Sequence, residues 1–201
     1  MALFNIDELR TELRSKSFSW DSISMETLNE YSERKLFEQA NAFSAYKSYD
    51  IFMSHSVKDA AAILRLAKTL ESQGYSVYVD WIVDKQIDRS KITTATAKVI
   101  RERLKTSKSF LMALTSNSTQ SSWVQWELGL GDGQKNGKVA ILPLITNNET
   151  NPNFYKQEYL GLYPYIDYVG NSIYINGKDS RYLTLRDWLN QTNPLAQILY
   201  S

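Results

Sequence analysis

The rhythm of apolar and polar positions changes near residue 48. Before that point there is no strand-like run. Leu3, Ile6, Leu9 and Leu13 recur at helical spacing with acids and bases between them. A second helix is expected to start near Ser24 and to run through Leu28, Tyr31, Leu36 and Phe37 toward Phe43, with a break between the two helices near Ser17–Ser22. Residues 1–48 therefore read as an N-terminal helical extension. It is either a packing element or an arm for interaction and oligomerisation.

From Tyr49 the chain alternates short apolar runs with helical patterns. Tyr49–Ser54 is a first strand, followed by a polar break at His55–Lys58. Ile63, Leu66, Ala67 and Leu70 follow at helical spacing, and Gly74 ends that helix from the C′ position. Ser76–Val79 reads as a second strand, and the polar segment Asp80–Lys91 leads to a helix carrying Ile92, Thr96, Val99, Ile100 and Leu104. Phe110–Leu114 is a third strand. A Ser/Thr/Asn-rich loop over Thr115–Ser122 then leads to a helix at Trp123–Leu130, and Val139–Ile145 is a fourth strand. Proline has no N–H to give a ladder, so Pro143 marks a bulge or a strand end. Further on, Tyr165–Val169 is a fifth strand, Ser172–Ile175 another short one and Asn176-Gly177 a turn. Thr184–Gln191 closes the chain as a helix with Leu185, Trp188 and Leu189 on one side. Continuous apolar strands that alternate with helices imply an α/β fold with a parallel sheet covered on both faces.

Composition narrows the chemistry. A chain of 201 residues can bury a real core unaided. Its 23 basic and 22 acidic residues leave a net charge of +1, which speaks against a groove that tracks nucleic-acid phosphates. There is no cysteine, so disulfides, thiol nucleophiles and zinc ribbons are excluded; His55, the sole histidine, excludes multi-histidine metal sites. No metal is expected. No apolar run approaches the ~20 residues of a membrane span, and the N-terminus is charged from Asp7 onward without a signal-peptide core. A cytoplasmic protein with no membrane partner is expected.

Ligands of open α/β sheets sit beyond the carboxyl ends of the strands, where the strand order reverses. The candidates there are Ser54, His55, Ser56, Val57, Lys58 and Asp59 after the first strand, Asp80, Trp81 and the stretch to Lys91 after the second, and Thr115–Ser118 after the third. Neither a GxGxxG nor a P-loop occurs, so backbone amides and hydroxyls would hold any phosphates. The helix after the third strand carries an anomaly. Ser122 with Gln125 fits a capping box, and from that start Glu127 shares a face with Trp123, Val124 and Leu130. Desolvating a carboxylate costs several kcal/mol unless it is paired or used. Glu127 is either a pocket-rim acid with a raised pKa that binds sugar hydroxyls, or a partly exposed side chain paired with a base such as Lys58 or Arg89. His55, flanked by two serines, does not make a catalytic triad, because neighbours on an extended segment cannot form the relay. It faces ligand, orders its loop or is structural. Trp81 is either a lid on the core or a stacking surface.

These residues also form a family pattern. Tyr49-Asp50-Ile51-Phe52-Met53-Ser54-His55-Ser56 resembles the first box of the TIR (Toll/interleukin-1 receptor) domain. Gly74-Tyr75-Ser76-Val77-Tyr78-Val79-Asp80 resembles its second strand, Ser122-Trp123-Val124-Gln125-Trp126-Glu127-Leu128 its Trp-x-x-x-Glu-Leu helix, and Ile141-Leu142-Pro143-Leu144-Ile145 its proline-bearing fourth strand. The resemblance spans about Tyr49–Ile145, with the rest of a TIR domain expected to follow through Ser201. It implies a flavodoxin-like fold with a five-stranded, mainly parallel sheet over residues 49–201. One branch of the family is a scaffold that signals by self-association, and the other cleaves the nicotinamide–ribose bond of NAD+. Asp80–Ser90 lacks the Pro-Gly of the receptor adaptors, so the chain is more similar to the bacterial anti-phage enzymes of the Thoeris type. These turn NAD+ into cyclic or modified ADP-ribose signals that reach a separate effector. The catalytic residue so implied is Glu127. Phe52 and Trp81 are then expected to pack the rings; Ser54, His55, Ser56 and Lys58 to contact hydroxyls or phosphates; and Asp80 and Trp123 to complete the substrate site. NAD+ is a substrate, and no cofactor is implied. A non-enzymatic interaction module and a nucleoside-processing glycosidase are the competing readings.

Overall fold

The structure is a computed structural model that describes residues 4–17, 24–41, 47–80, 94–147, 159–170, 172–177, 180–192 and 194. Its first half comprises β1 (Phe4–Asn5), α1 (Ile6–Ser17), α2 (Met25–Asn41), β2 (Tyr49–Ser54), a 3₁₀ turn (Val57–Asp59), α3 (Ala60–Ser72) and β3 (Val77–Val79). Then come α4 (Thr94–Lys105), β4 (Ser107–Leu114), α5 (Ser116–Thr119), α6 (Ser122–Gln134) and β5 (Val139–Ile145). The chain ends in β6 (Tyr165–Val169), β7 (Ser172–Asn176), β8 (Tyr182–Thr184) and α7 (Leu185–Asn190).

The sheet runs β3-β2-β4-β5-β6-β7-β8, with β1 paired to β5. From β3 to β6 every pairing is parallel, which gives the expected five parallel strands; β7 and β8 continue the sheet as antiparallel strands. The strands are buried on both faces because side chains alternate. Ile51, Met53, Leu111, Ala113, Ala140 and Leu142 join one core with α1, α2, α3 and α7. Phe52, Phe110, Met112, Leu114, Val139 and Ile141 join the other with α4 and α6. Connections step from β2 outward to β3 and then back across to β4. The order therefore reverses at β2, and the crevice for a ligand opens at the carboxyl ends of β2 and β4.

Some local expectations change. The Ser/Thr/Asn-rich loop holds the one-turn helix α5, closed by reciprocal bonds between Thr115 and Ser118. Four residues are too few for periodicity to reveal a helix, and hydroxyl capping alone defines it. Val99 is 40% exposed, so the apolar stripe of α4 is narrower than its sequence suggests. Pro143 lies inside β5 rather than at its end: the strand runs on to Ile145, and Pro143 stands opposite Leu114, the last residue of β4, where that ladder stops. Gly74 does sit past the end of α3 with φ +86°, a conformation that glycine adopts without a Cβ clash.

The N-terminal residues contribute directly to the core. β1 adds a two-residue parallel pairing, Phe4 with Leu144 and Asn5 with Ile145, where the sequence showed no strand. Phe4, Ile6, Leu9, Leu13, Leu28 and Leu36 are all buried in the same cluster as α3 and the sheet. Ser24 caps α2 by accepting from the Thr27 N–H at 3.2 Å.

Candidate active site

α6 is set down on the sheet by a cap at one end and a close approach at the other. Ser121, not Ser122, is the N-cap: its hydroxyl accepts from the Val124 N–H at 3.4 Å. Gln125 points elsewhere, its amide donating to the Thr119 carbonyl at 2.9 Å. The helix thus begins one residue earlier than the capping-box pattern predicts, because Ser121 and Ser122 compete for one role. Near the other end, a Cβ on Gly131 would stand 2.7 Å from Phe110 Cγ. Only a residue without a side chain lets the helix lie this close to β4.

This placement leaves Glu127 1% exposed at the end of β2. Ser54, the last residue of β2, donates its hydroxyl hydrogen bond to Glu127 Oε2. Glu127 Oε1 is buried with no hydrogen-bond partner of good geometry among the described residues. Asp80 directly follows β3 and is itself buried. Burial, first, and then the negative charge of Asp80 hold the Glu127 carboxyl well above its ordinary range. Ser54 and the Trp123 side chain oppose this by hydrogen-bonding to the charged form. Two acids this close do not readily both ionise, and Glu127 is the one whose carboxyl is raised. Among the described residues the charged group beside Glu127 is thus an acid and not the base of the second reading. Lys58 is exposed on the 3₁₀ turn, and Arg89 lies outside the described residues.

Two residues that sequence reasoning passed over surround the acids. Tyr78 is buried two positions before Asp80 on β3, and its hydroxyl is pushed far up by burial and by Asp80. The Arg103 guanidinium lies over the Tyr78 ring at 5.2 Å, and its Nη1 is 3.9 Å from Asp80 Oδ1. The clue to Arg103 was a base next to Leu104 on the apolar side of α4. A helical wheel shows that position, but the wheel alone does not say which acid it meets.

The other candidates divide. Phe52 is a correction: it is fully buried, stacked on Phe110 at 5.7 Å and tilted against Tyr78 at 5.5 Å. It is part of the core and offers no face to a ligand, because strand alternation turns it under α4 and α6. Ser54 is fully buried and engaged with Glu127, so its hydroxyl holds the acid rather than waiting for substrate. His55 is buried, and Ser56 is half-buried at the N-cap of the 3₁₀ turn. Trp123 is half-buried, with its ring 5.2 Å from that of Trp126. Trp81 lies outside the described residues.

Chemically, the arrangement is an acid pair at the switch point of the sheet, with Ser54 and Trp123 hydrogen-bonding to Glu127. An approaching cation or hydroxyl donor would draw Glu127 toward its carboxylate form. A group that gains positive charge while reacting would be stabilised most in its transition state.

Residues 51–181 match the family model described as the TIR domain. The chain is 46% identical over 165 residues to a protein of Bacillus cereus (strain MSX-D12) named "Probable 3' cyclic ADP-D-ribose synthase ThsB'", covering 79% of this chain and 84% of that one. It is 34% identical over 126 residues to a Cytobacillus dafuensis protein named "Putative cyclic ADP-D-ribose synthase TIR2", covering 56% of this chain and 33% of that protein.

Proposed function

This chain belongs to the TIR domain family, and on that premise we propose that it cleaves the nicotinamide–ribose bond of NAD+ and closes the product into a cyclic ADP-ribose signal. The observation that carries the reading is the buried Glu127 carboxyl. It is held on Oε2 by Ser54, and its Oε1 has no hydrogen bond of good geometry among the described residues, at the place in the sheet where ligands bind. The names of the two relatives support the cyclic ADP-ribose product.

The nicotinamide ribose lies against Glu127. Its hydroxyls donate to Oε1, the atom with no partner of good geometry among the described residues. The positive charge of the bound nicotinamide favours ionisation of Glu127, so substrate binding releases its proton. As the C–N bond breaks, charge moves from the ring to the ribose. Nicotinamide leaves neutral and needs no general acid. The carboxylate then faces an oxocarbenium-like sugar, which it stabilises more strongly than the ground state. Ser54 and Trp123 keep the carboxylate in place through that step. His55, Ser56 and Lys58 are placed beyond the end of β2 to meet hydroxyls or phosphates. Trp81 and Trp123 supply ring surface. An internal nucleophile from the adenosine half closes the ring, whereas water in its place gives linear ADP-ribose.

No helix among the described residues is long and apolar enough to cross a membrane. The enzyme works in the cytoplasm, self-associates through its TIR domain, and reaches a separate anti-phage effector through its diffusible product. The decisive assay is chromatography of NAD+ and a deoxynucleotide panel incubated with purified protein, wild type against Glu127→Ala and Glu127→Gln, over a range of protein concentrations. Nicotinamide release by wild type and a loss of about 100-fold or more in both variants is expected. Base release from deoxynucleotides alone, or full activity in both variants, overturns the reading.

A further inference from the structure

Asp59 is 1% exposed, yet it belongs to a turn at the edge of the site. Its Oδ2 accepts from Thr115 Oγ1 at 2.6 Å, and its Oδ1 accepts from Asn117 Nδ2 at 2.8 Å. Arg10 Nη2, on α1, stands 3.7 Å from the same Oδ1. One buried carboxylate therefore joins three stretches far apart in sequence: α1, the turn after β2, and the segment after β4. A buried charge with this many partners is a fixed node, since moving away from any of them leaves it desolvated and underpaired.

Two of those stretches also flank the bond between Ser54 and Glu127. Ser54 ends the strand that runs into the Asp59 turn. Thr115 and Asn117 begin the segment that becomes α6, through α5 and the Gln125–Thr119 hydrogen bond. Asp59 is thus a second tie between the segments that carry Ser54 and Glu127.

Arg10 is delivered by a helix that is anchored elsewhere. β1 pairs with the end of β5, and Asn5 Nδ2 donates to Asn147 Oδ1 at 2.8 Å. The Asn147 N–H donates to Asp7 Oδ2 at 3.1 Å, and Arg65 on α3 pairs with Glu12 at 2.6 Å. α1 lies wholly outside the span that matches the family, which begins at residue 51.

We infer that Arg10 and Asp59 are a positioning pair: through them the N-terminal helix fixes the spacing between the turn after β2 and the start of α6, and so seats the Glu127 carboxyl against Ser54. The inference rests on Glu127 being the catalytic carboxylate.

The test uses the full chain as wild type, Arg10→Ala, Arg10→Lys, Asp59→Asn and the Arg10→Ala/Asp59→Asn double variant. Steady-state NAD+ kinetics are measured beside amide hydrogen exchange of residues 54–59 and 115–121. Asp59→Asn is expected to lower kcat by roughly 10- to 100-fold while KM moves by less than about threefold, the signature of misplaced chemistry rather than lost binding. Arg10→Ala shifts kcat in the same direction by less, Arg10→Lys restores most of it, and the double variant is no slower than Asp59→Asn alone. Exchange speeds up in both segments. If kcat holds in both single variants while only thermal stability falls, the pair is structural and the inference is overturned. Arg10 is 24% exposed on its side chain, so Arg10→Ala keeps the test alive should Asp59→Asn fail to fold. If the wild type does not turn over NAD+, the functional reading fails on its own. The exchange data then still decide the tie: unchanged protection in Arg10→Ala overturns it, and faster exchange in both segments upholds it.

Discussion

Glu127→Gln should make the protein more stable and less active at once. Wild-type Glu127 is 1% exposed and its carboxyl is held well above its ordinary value of 4.5, first by burial and then by Asp80. The folded state therefore binds this proton more tightly than the unfolded state does. Above 4.5 the unfolded chain has ionised while the folded chain still holds the proton, so stability falls as pH rises until the raised pKa is passed. Glutamine keeps the shape and an oxygen for the Ser54 hydroxyl but carries no charge. Removing a buried charge while keeping one hydrogen bond is expected to gain about 1–3 kcal/mol at pH 8, a rise in Tm of roughly 2–12 °C for a domain of this size. Below 4.5 the gain shrinks toward zero. Thermal unfolding of both proteins from pH 5 to 8.5, beside NAD+ turnover, reads both effects. Glu127→Ala serves as the contrast, because it leaves a cavity and an unpaired Ser54 hydroxyl and should not gain stability. A glutamine variant no more stable than wild type at pH 8, with parallel pH curves, would refute the reasoning.

Two further outcomes follow from the packing and from the buried lysine. Gly131→Ala should cost about 1–2 kcal/mol despite alanine's better helix propensity, because the new Cβ meets the buried Phe110 ring at 2.7 Å, and the displaced α6 should lower NAD+ turnover as well; urea titration and turnover measure the two effects. Lys135 donates to the carbonyls of Leu104 and Ser107, and burial holds its pKa down at about 8, against 10.5 for a free lysine. Its folded state thus binds the proton less tightly than the unfolded state, so the contribution of Lys135 to stability rises with pH between about 8 and 10.5. Lys135→Ala should be destabilised by about 2 kcal/mol and should lack that rise, as denaturant curves at pH 8 and pH 10 would show.

Glu127 was legible because a carboxylate amid Trp123, Val124 and Leu130 breaks the helix pattern, and periodicity detects such breaks. Its partners were less legible. Ser54 and Asp80 were visible as strand-end residues and were expected to touch substrate, whereas the structure turns them toward Glu127. Phe52 looked available because an aromatic near a strand end reads the same whether it faces a ligand or a neighbouring helix. Only the alternation within the assembled sheet shows that it stacks on Phe110. α5 and the N-cap at Ser121 escaped because single turns are defined by which hydroxyl reaches which N–H, and several serines and threonines there compete.

The order of residues by itself determined the alternating strands and helices, the two-sided burial of the sheet and the acid on the wrong side of a helix. Each of these is a local periodicity, readable within a dozen positions. The folded chain alone decided that Ser54, Asp80, Arg103 and Glu127 surround one point, and that Arg10 reaches Asp59 from an apparent extension. Those meetings depend on crossovers that bring distant strand ends side by side, and no window along the chain contains both partners.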